Sequence, residues 1–323
     1  MVGNNRVSII DTTLRDGLQH EEHYMPLADR LLILESLVKA GVKKIEVGSF
    51  SHPGYLPQFR EIDDFVRSMP EYDGVEYTFL ALNKRAVERA VAAKKDGAPI
   101  HRILTGQIAT SESYARKNMN RTHEELFAEA EELVKMLHDG GIKTVAANVG
   151  TIFGCPIEGE MPLSKAYEFD KRLFDMGFDQ IEHSDPDGAA SPEKMAEYCS
   201  EVMNRWPDPD KHVLHIHDIH GMGMASYYAS LSVGIRQFEC ALGGVGGQPA
   251  NRLDGVPVKG TGEYYFEQGR TGLVSTEDFV SMINRTSFEC GIDTAAIIEA
   301  GKLAEKLIGR DLDSFVVAAE GSV

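Results

Sequence analysis

Strand-like and helix-like stretches alternate eight times along this chain, and that alternation restricts the fold more than any other feature. Short β-branched or apolar runs at residues 7–10, 43–47, 75–82, 100–105, 142–149, 178–183, 213–217 and 238–241 read as strands. Between them, residues 27–40, 57–68, 84–95, 122–138, 163–176 and 224–234 carry apolar side chains at helical spacing. Boundary chemistry agrees: Gly41 stops the first helix, Thr122-His123-Glu124-Glu125 makes a capping box, and Ser191-Pro192-Glu193 opens another helix. The polar stretch 110–120 reads as a loop. Helices long enough to cross back over a sheet predict parallel strands, and eight units in 323 residues fit a (β/α)8 barrel. An open doubly wound sheet would place a glycine-rich phosphate loop after the first strand, where none stands. The expected organisation is a catalytic barrel over 1–291 with a short C-terminal helical extension, 292–323, packed on it.

The net charge of −17 argues against non-specific nucleic acid or anionic membrane as a partner, because both need a basic face. Cys155, Cys199, Cys240 and Cys290 lie far apart without metal-knuckle spacing, which points to a reducing cytosol. Neither a signal peptide nor a membrane-spanning run is expected, so the localisation read here is cytoplasmic.

Three stretches carry chemistry. Arg15-Asp16-Gly17-Leu18-Gln19 follows the first strand, where a parallel α/β fold gathers its ligand-binding side chains, and offers a fixed cation beside a hard oxygen ligand. His215-Ile216-His217 lies on the seventh strand, where positions i and i+2 point the same way and both imidazoles reach one point. Asp218 follows in the loop. Strands one and seven end near each other across a barrel mouth, so one metal can bridge them. After the eighth strand, Gly243-Gly244-Val245-Gly246-Gly247-Gln248-Pro249-Ala250-Asn251 lets backbone approach a ligand closely.

Taken together, these stretches resemble the divalent-metal barrel enzymes that include 3-hydroxy-3-methylglutaryl-CoA lyase and the 2-isopropylmalate and homocitrate synthases. The lyase branch is nearer: Arg15 to Glu21, Ser113 to Asn120, Gly154-Cys155-Pro156-Ile157-Glu158-Gly159 and Thr276-Glu277-Asp278 are all similar to lyase segments, in order, over nearly the whole chain. The resemblance implies metal ligands Asp16, His215, His217 and Asn251. It implies Arg15 as the cation facing an enolate, Glu46 and Asp185 as groups that orient catalytic side chains, and Gln19 lining the floor. Two departures stand out. Gln248 occupies the place of the lyases' loop cysteine, and an insert rich in Gly, Tyr and Glu runs over 252–269. Asn251 matches the synthase spacing, whereas Leu273 stands at the position where the lyases carry their asparagine.

The activity so implied is carbon–carbon cleavage of a 3-hydroxyacyl-CoA to acetyl-CoA and an oxo acid, with His215 or Asp16 as base. The alternatives are a condensing alkylmalate-type synthase, a 2-oxo acid aldolase, or a non-catalytic homologue. An oxygen-rich set with two imidazoles suits Mg²⁺ or Mn²⁺ more than Zn²⁺. The resemblance also implies a homodimer acting on an acyl-CoA or oxo acid.

Overall fold

The computed structural model describes residues 5–21, 23–54, 56–155, 157–247, 251–253, 256–258 and 272–320, the two short segments at 251–253 and 256–258 as backbone only. Eight parallel strands close into a barrel: β1 (Ser8–Asp11), β2 (Lys44–Ser49), β3 (Glu76–Leu80), β4 (Arg102–Ala109), β5 (Thr144–Gly150), β6 (Gln180–Asp185), β7 (His212–Ile216) and β8 (Gln237–Cys240). Each pairs with the next, and the ring closes where Ile9 of β1 meets Phe238 of β8. The (β/α)8 expectation is met.

The helices are α1 (Leu27–Ala40), α2 (Ile62–Ser68), α3 (Lys84–Lys95), α4 (Glu112–Met119), α5 (His123–Asp139), α6 (Leu163–Asp175), α7 (Pro192–Arg205) and α8 (Gly223–Ser232), then α9 (Thr276–Ile283), α10 (Thr294–Ile308) and α11 (Phe315–Glu320). The Thr122 capping box forms as expected, and Gly41 ends α1 in the left-handed region at φ 102°. Two local expectations change. Stretch 57–68 splits into a 3₁₀ turn (Pro57–Phe59) and α2. The polar stretch 110–120 is not a loop but holds α4, capped by Ser111, which accepts from the Tyr114 N–H at 3.1 Å, and ended by Asn120 at φ 53°. No apolar stripe announced that helix; its caps define it.

Strand residues alternate between two cores. Ile45, Val47, Ile103, Val145, Val149, Ile181, Leu214 and Phe238 face the helices and are fully buried. The barrel interior is polar instead of filled with branched apolar side chains. Low in it, the Lys44 ammonium donates to Gln237 Oε1 (2.7 Å) and the Arg102 Nε–H to Gln180 Oε1 (2.8 Å), while both glutamine amides donate to the Asp210 carbonyl (2.8 and 2.9 Å). Higher up, Glu46, Glu182 and Glu239 point inward, with Leu80, Leu104 and Ala146 as an apolar wall on the β3–β5 side. These inward charges are costly to bury unless paired, which is the pattern expected where function is kept at the expense of stability.

Outside the barrel wall, His183 lies 2.8 Å from the Tyr198 hydroxyl and 3.0 Å from His212 Nδ1, and His212 Nε2 meets the Trp206 carbonyl at 2.9 Å. Burial pushes His212 down to about 4, so it is neutral in the fold but takes a proton near pH 6.5 when unfolded. The unfolded chain therefore binds more protons between those values, and His212's contribution is present above pH 6.5 and lost as pH falls toward 4. Between pH 7 and pH 5 the protein is expected to lose about 2 kcal/mol more stability than its His212→Gln variant, read from urea midpoints. Equal losses would contradict the burial of a neutral imidazole here.

The C-terminal helices touch both barrel and mouth. α10 lies against α1, with the Asp293 N–H donating to the Ala40 carbonyl (2.9 Å). Asp278 accepts from the N–H groups of Phe315 (3.0 Å) and Val316 (2.9 Å), which caps α11. The Asp313 N–H donates to the Gly243 carbonyl at 2.9 Å, so the tail also fixes the glycine loop.

Candidate active site

β1 runs straight into one wide helical turn, Thr13–Gly17, buried throughout. Asp11 shapes it by accepting from the Thr13 N–H (3.0 Å) and the Thr276 hydroxyl (2.7 Å). The turn presents Arg15 and Asp16 at the C-terminal mouth of the barrel. Arg15 Nη1 lies 2.6 Å from Asp16 Oδ2, and its Nε lies 2.6 Å from Glu46 Oε2 on β2. Burial pushes Glu46 up to about 8 despite the pull of Arg15, because Glu239 and Glu182 repel a further charge. Burial also acts to raise Asp16, but Arg15, then His217 and His215, outweigh it and hold that carboxylate at about 2.

His215 at the end of β7 and His217 just beyond it converge on the same place. Their Nε2 atoms are 3.0 Å apart, and the ligand atoms of Asp16, His215 and His217 all lie within 4.8 Å of one another. Two basic nitrogens at that distance share at most one proton between them, and a carboxylate beside them completes a hard-oxygen and imidazole donor set that fits a divalent ion. His215 Nδ1 lies 2.7 Å from Glu239 Oε2. A second trio, Glu182, His215 and Glu239, is also close enough for a cation. There the positive charge is already supplied: Arg102 sits 3.4 Å from Glu182 and 3.8 Å from Glu239.

The glycine loop folds over Asp16. The Gly247 N–H donates to Asp16 Oδ1 (3.3 Å), and Gly246, at φ 126°, is so close that an added Cβ would stand 2.5 Å from the same oxygen. Glu277 holds the loop's start by accepting from the Gly243 N–H through both oxygens (3.0 and 2.8 Å). Gly246→Ala is therefore expected to push Asp16 aside and lower Mn²⁺ affinity at least tenfold, measured by equilibrium dialysis, with unchanged affinity as the contrary result. Gln248 and most of the 252–269 insert lie outside the described residues. Asn251 begins a short strand, Asn251–Leu253, beside α4, and its side chain too lies outside what is described.

A cavity of about 480 Å³ opens above these groups. Its polar side includes Arg15, Asp16, Gln19, Asn148, Glu182, Ser184, His215 and His217, and its apolar side includes Leu80, Leu104 and Met119.

A family model described as HMGL-like matches residues 6–304. This chain belongs to that family. It is 32% identical over 320 residues to the (R)-citramalyl-CoA lyase of Chloroflexus aurantiacus, covering 96% of this chain and 93% of that one. It is 30% identical to the cytoplasmic 3-hydroxy-3-methylglutaryl-CoA lyase of Mus musculus, covering 97% and 84%. Among solved structures, the HMG-CoA lyase of Bacillus subtilis superposes with a TM-score of 0.88 at 26% identity over 99% of this chain and 100% of that one. An HMG-CoA lyase of Acinetobacter baumannii, in complex with coenzyme A and 3-methylmalate, superposes with a TM-score of 0.85 at 27% identity over 98% and 95%. The resemblance drawn from the motifs holds, and the protein is a carbon–carbon lyase by family.

Of the residues singled out in sequence, the barrel brings Arg15, Asp16, Gln19, His215 and His217 to one cavity, with Glu46 directly behind Arg15. The Asp185 carboxylate accepts from the N–H groups of Ala189 (3.2 Å) and Ala190 (2.9 Å) and lies close enough to His217 to feel its charge, and its carbonyl takes the His217 N–H at 3.1 Å. Asp218 accepts from the Gly223 N–H (2.7 Å) at the start of α8. The lyase-like segments at 113–120 and 154–159 meet each other, since Glu158 accepts from the Ser111 hydroxyl (2.6 Å) and the Ser113 N–H (2.9 Å). Sequence reasoning missed Asn148, Glu182, Ser184, Glu239 and Arg102. The signal was present in β6, where Gln180, Glu182 and Ser184 alternate with Ile181 and His183 and so put three polar side chains on one face.

Proposed function

We propose that this protein cleaves a 3-hydroxyacyl-CoA to acetyl-CoA and an oxo acid, using Mg²⁺ or Mn²⁺ held by Asp16, His215 and His217, with Asn251 as a fourth ligand. The observation that carries it is the convergence of one ionised carboxylate and two imidazole Nε2 atoms beside a buried guanidinium in a cavity. The substrates named for the relatives, citramalyl-CoA and hydroxymethylglutaryl-CoA, are both 3-hydroxyacyl thioesters, which supports the substrate class. A divalent ion in this site supplies Lewis acidity that makes the substrate hydroxyl easier to deprotonate.

The chain's own residues do the rest. Of the two candidate bases, His215 is committed to the ion through Nε2 and to Glu239 through Nδ1, so the carbinol proton passes to an oxygen of Asp16. As the carbon–carbon bond opens, its electron pair becomes the enolate of the acetyl thioester, the carbinol carbon becomes the carbonyl of the oxo acid, and a proton returned to the enolate carbon, matching the one taken from the hydroxyl, gives acetyl-CoA. Arg15 faces the enolate oxygen, its Nε and Nη1 fixed by Glu46 and Asp16 so that the charge is placed in advance. Gln19 Oε1 is buried without a hydrogen-bond partner and offers an acceptor to the bound acyl group. Among the described residues no helix is long and apolar enough to cross a membrane.

Incubation with Mn²⁺ and a panel of citramalyl-, hydroxymethylglutaryl- and other 3-hydroxyacyl-CoAs is expected to release acetyl-CoA from at least one of them. Release from none, with cleavage or condensation of 2-oxo acids in its place, would move the protein to the aldolase or synthase reading.

A further inference from the structure

We infer that Glu239 is a positioning residue for His215, holding it in the single tautomer able to bind the ion. This rests on the metal-binding reading above. A neutral imidazole carries one N–H, and an ionised carboxylate can only accept; burial and Glu182 push the Glu239 carboxyl up, while Arg102 and Arg15 favour the ionised form that this assignment requires. With Glu239 Oε2 2.7 Å from His215 Nδ1, the proton belongs on Nδ1 and the lone pair on Nε2, the nitrogen that meets His217 and Asp16.

The two residues are made neighbours by the fold. Glu239 of β8 stands opposite His215 of β7 in the parallel ladder, and both side chains enter the barrel. The Tyr227 hydroxyl donates to the Glu239 carbonyl at 2.6 Å and fixes the backbone from the helix side. From across the barrel, Arg102 is tied by its Nε to Gln180 and by Nη2 to Glu182, which leaves Nη1 3.8 Å from Glu239 Oε1. That oxygen makes no hydrogen bond, and Glu239 is wholly buried. A carboxylate present only for packing would be a poor choice, since an apolar side chain of similar size avoids the desolvation cost. Its other oxygen, on His215, gives the reason for keeping it.

The test titrates Mn²⁺ into the intact wild-type chain and its Glu239→Gln variant, following free Mn²⁺ by electron paramagnetic resonance. An amide can present either N–H or oxygen to Nδ1, so the tautomer is no longer imposed. The variant is expected to bind Mn²⁺ 10–100-fold more weakly, to melt no lower than the wild type without metal, and to regain most of its kcat at high Mn²⁺. Wild-type Mn²⁺ affinity in a variant that melts lower would overturn the inference and leave a structural role. A wild-type chain that takes up no Mn²⁺ would overturn the metal reading together with it. If the glutamine variant does not fold, ¹⁵N spectra of the metal-free wild type decide: His215 protonated on Nδ1 supports the assignment, and protonation on Nε2 refutes it.

Discussion

Replacing His217 by alanine is expected to empty the metal site and abolish turnover while the barrel still folds. Asp16 is already engaged by Arg15 on one oxygen and by the Gly247 N–H on the other, and His215 is anchored to Glu239. His217 is the ligand that closes the cluster, and it lies beyond the last ladder residue of β7, so its side chain is not needed to hold the sheet. Without it one imidazole, one carboxylate and the neutral Asn251 amide are left, too weak a set to retain a hard divalent ion through dialysis against water. Mn²⁺ content should fall from about one per chain to near zero, and kcat/KM by about 10³-fold or more, as loss of several kcal/mol of transition-state stabilisation requires. Metal analysis of the dialysed variant checks the first, and acetyl-CoA release checks the second. Unchanged metal content would remove His217 from the ligand set.

Arg15→Met should lower kcat/KM by about 10²–10³-fold at saturating Mn²⁺, the range seen when one preorganised donor to a developing oxyanion is lost. Its effect on stability is smaller than breaking a buried ion pair usually is, roughly 3–5 kcal/mol, and the reason lies in Glu46. Burial and the neighbouring Glu239 and Glu182 already hold that carboxyl at about 8 with the guanidinium beside it, so once Arg15 is gone it stays protonated at neutral pH instead of standing charged. Arg15→Lys keeps the charge but cannot span Glu46 and Asp16 with a fixed fork, so its rate should fall between wild type and methionine. A methionine variant with wild-type kcat at saturating Mn²⁺ would separate Arg15 from the chemistry.

The barrel was legible because its determinants are local. Apolar runs, helix caps and helix-ending glycines each act within a few residues, and the eight units follow from repetition. α4 escaped because a short polar helix has no stripe to see and is defined by Ser111, Asn120 and the distant Glu158. At the site, Arg15, Asp16, His215 and His217 were visible as compact motifs whose spacing already implies convergence. Glu182, Glu239 and Arg102 come from three different strands and acquire meaning only when the barrel closes around them. Asp185 was visible as a carboxylate at a strand end, but the two backbone N–H groups that hold it there, beside His217, come from the loop after the strand and appear only in the fold. Thr276, Glu277 and Asp278 matched a lyase segment without a role in view, and each proves to hold another part of the chain: Asp11, the glycine loop and the start of α11.

The most direct test is anomalous diffraction from crystals of the intact chain grown with Mn²⁺. One strong peak is expected at the barrel mouth, within coordination distance of an Asp16 oxygen and of Nε2 on both His215 and His217. A peak elsewhere, or none at full Mn²⁺ saturation, would contradict the claim that these three side chains exist to hold a cation.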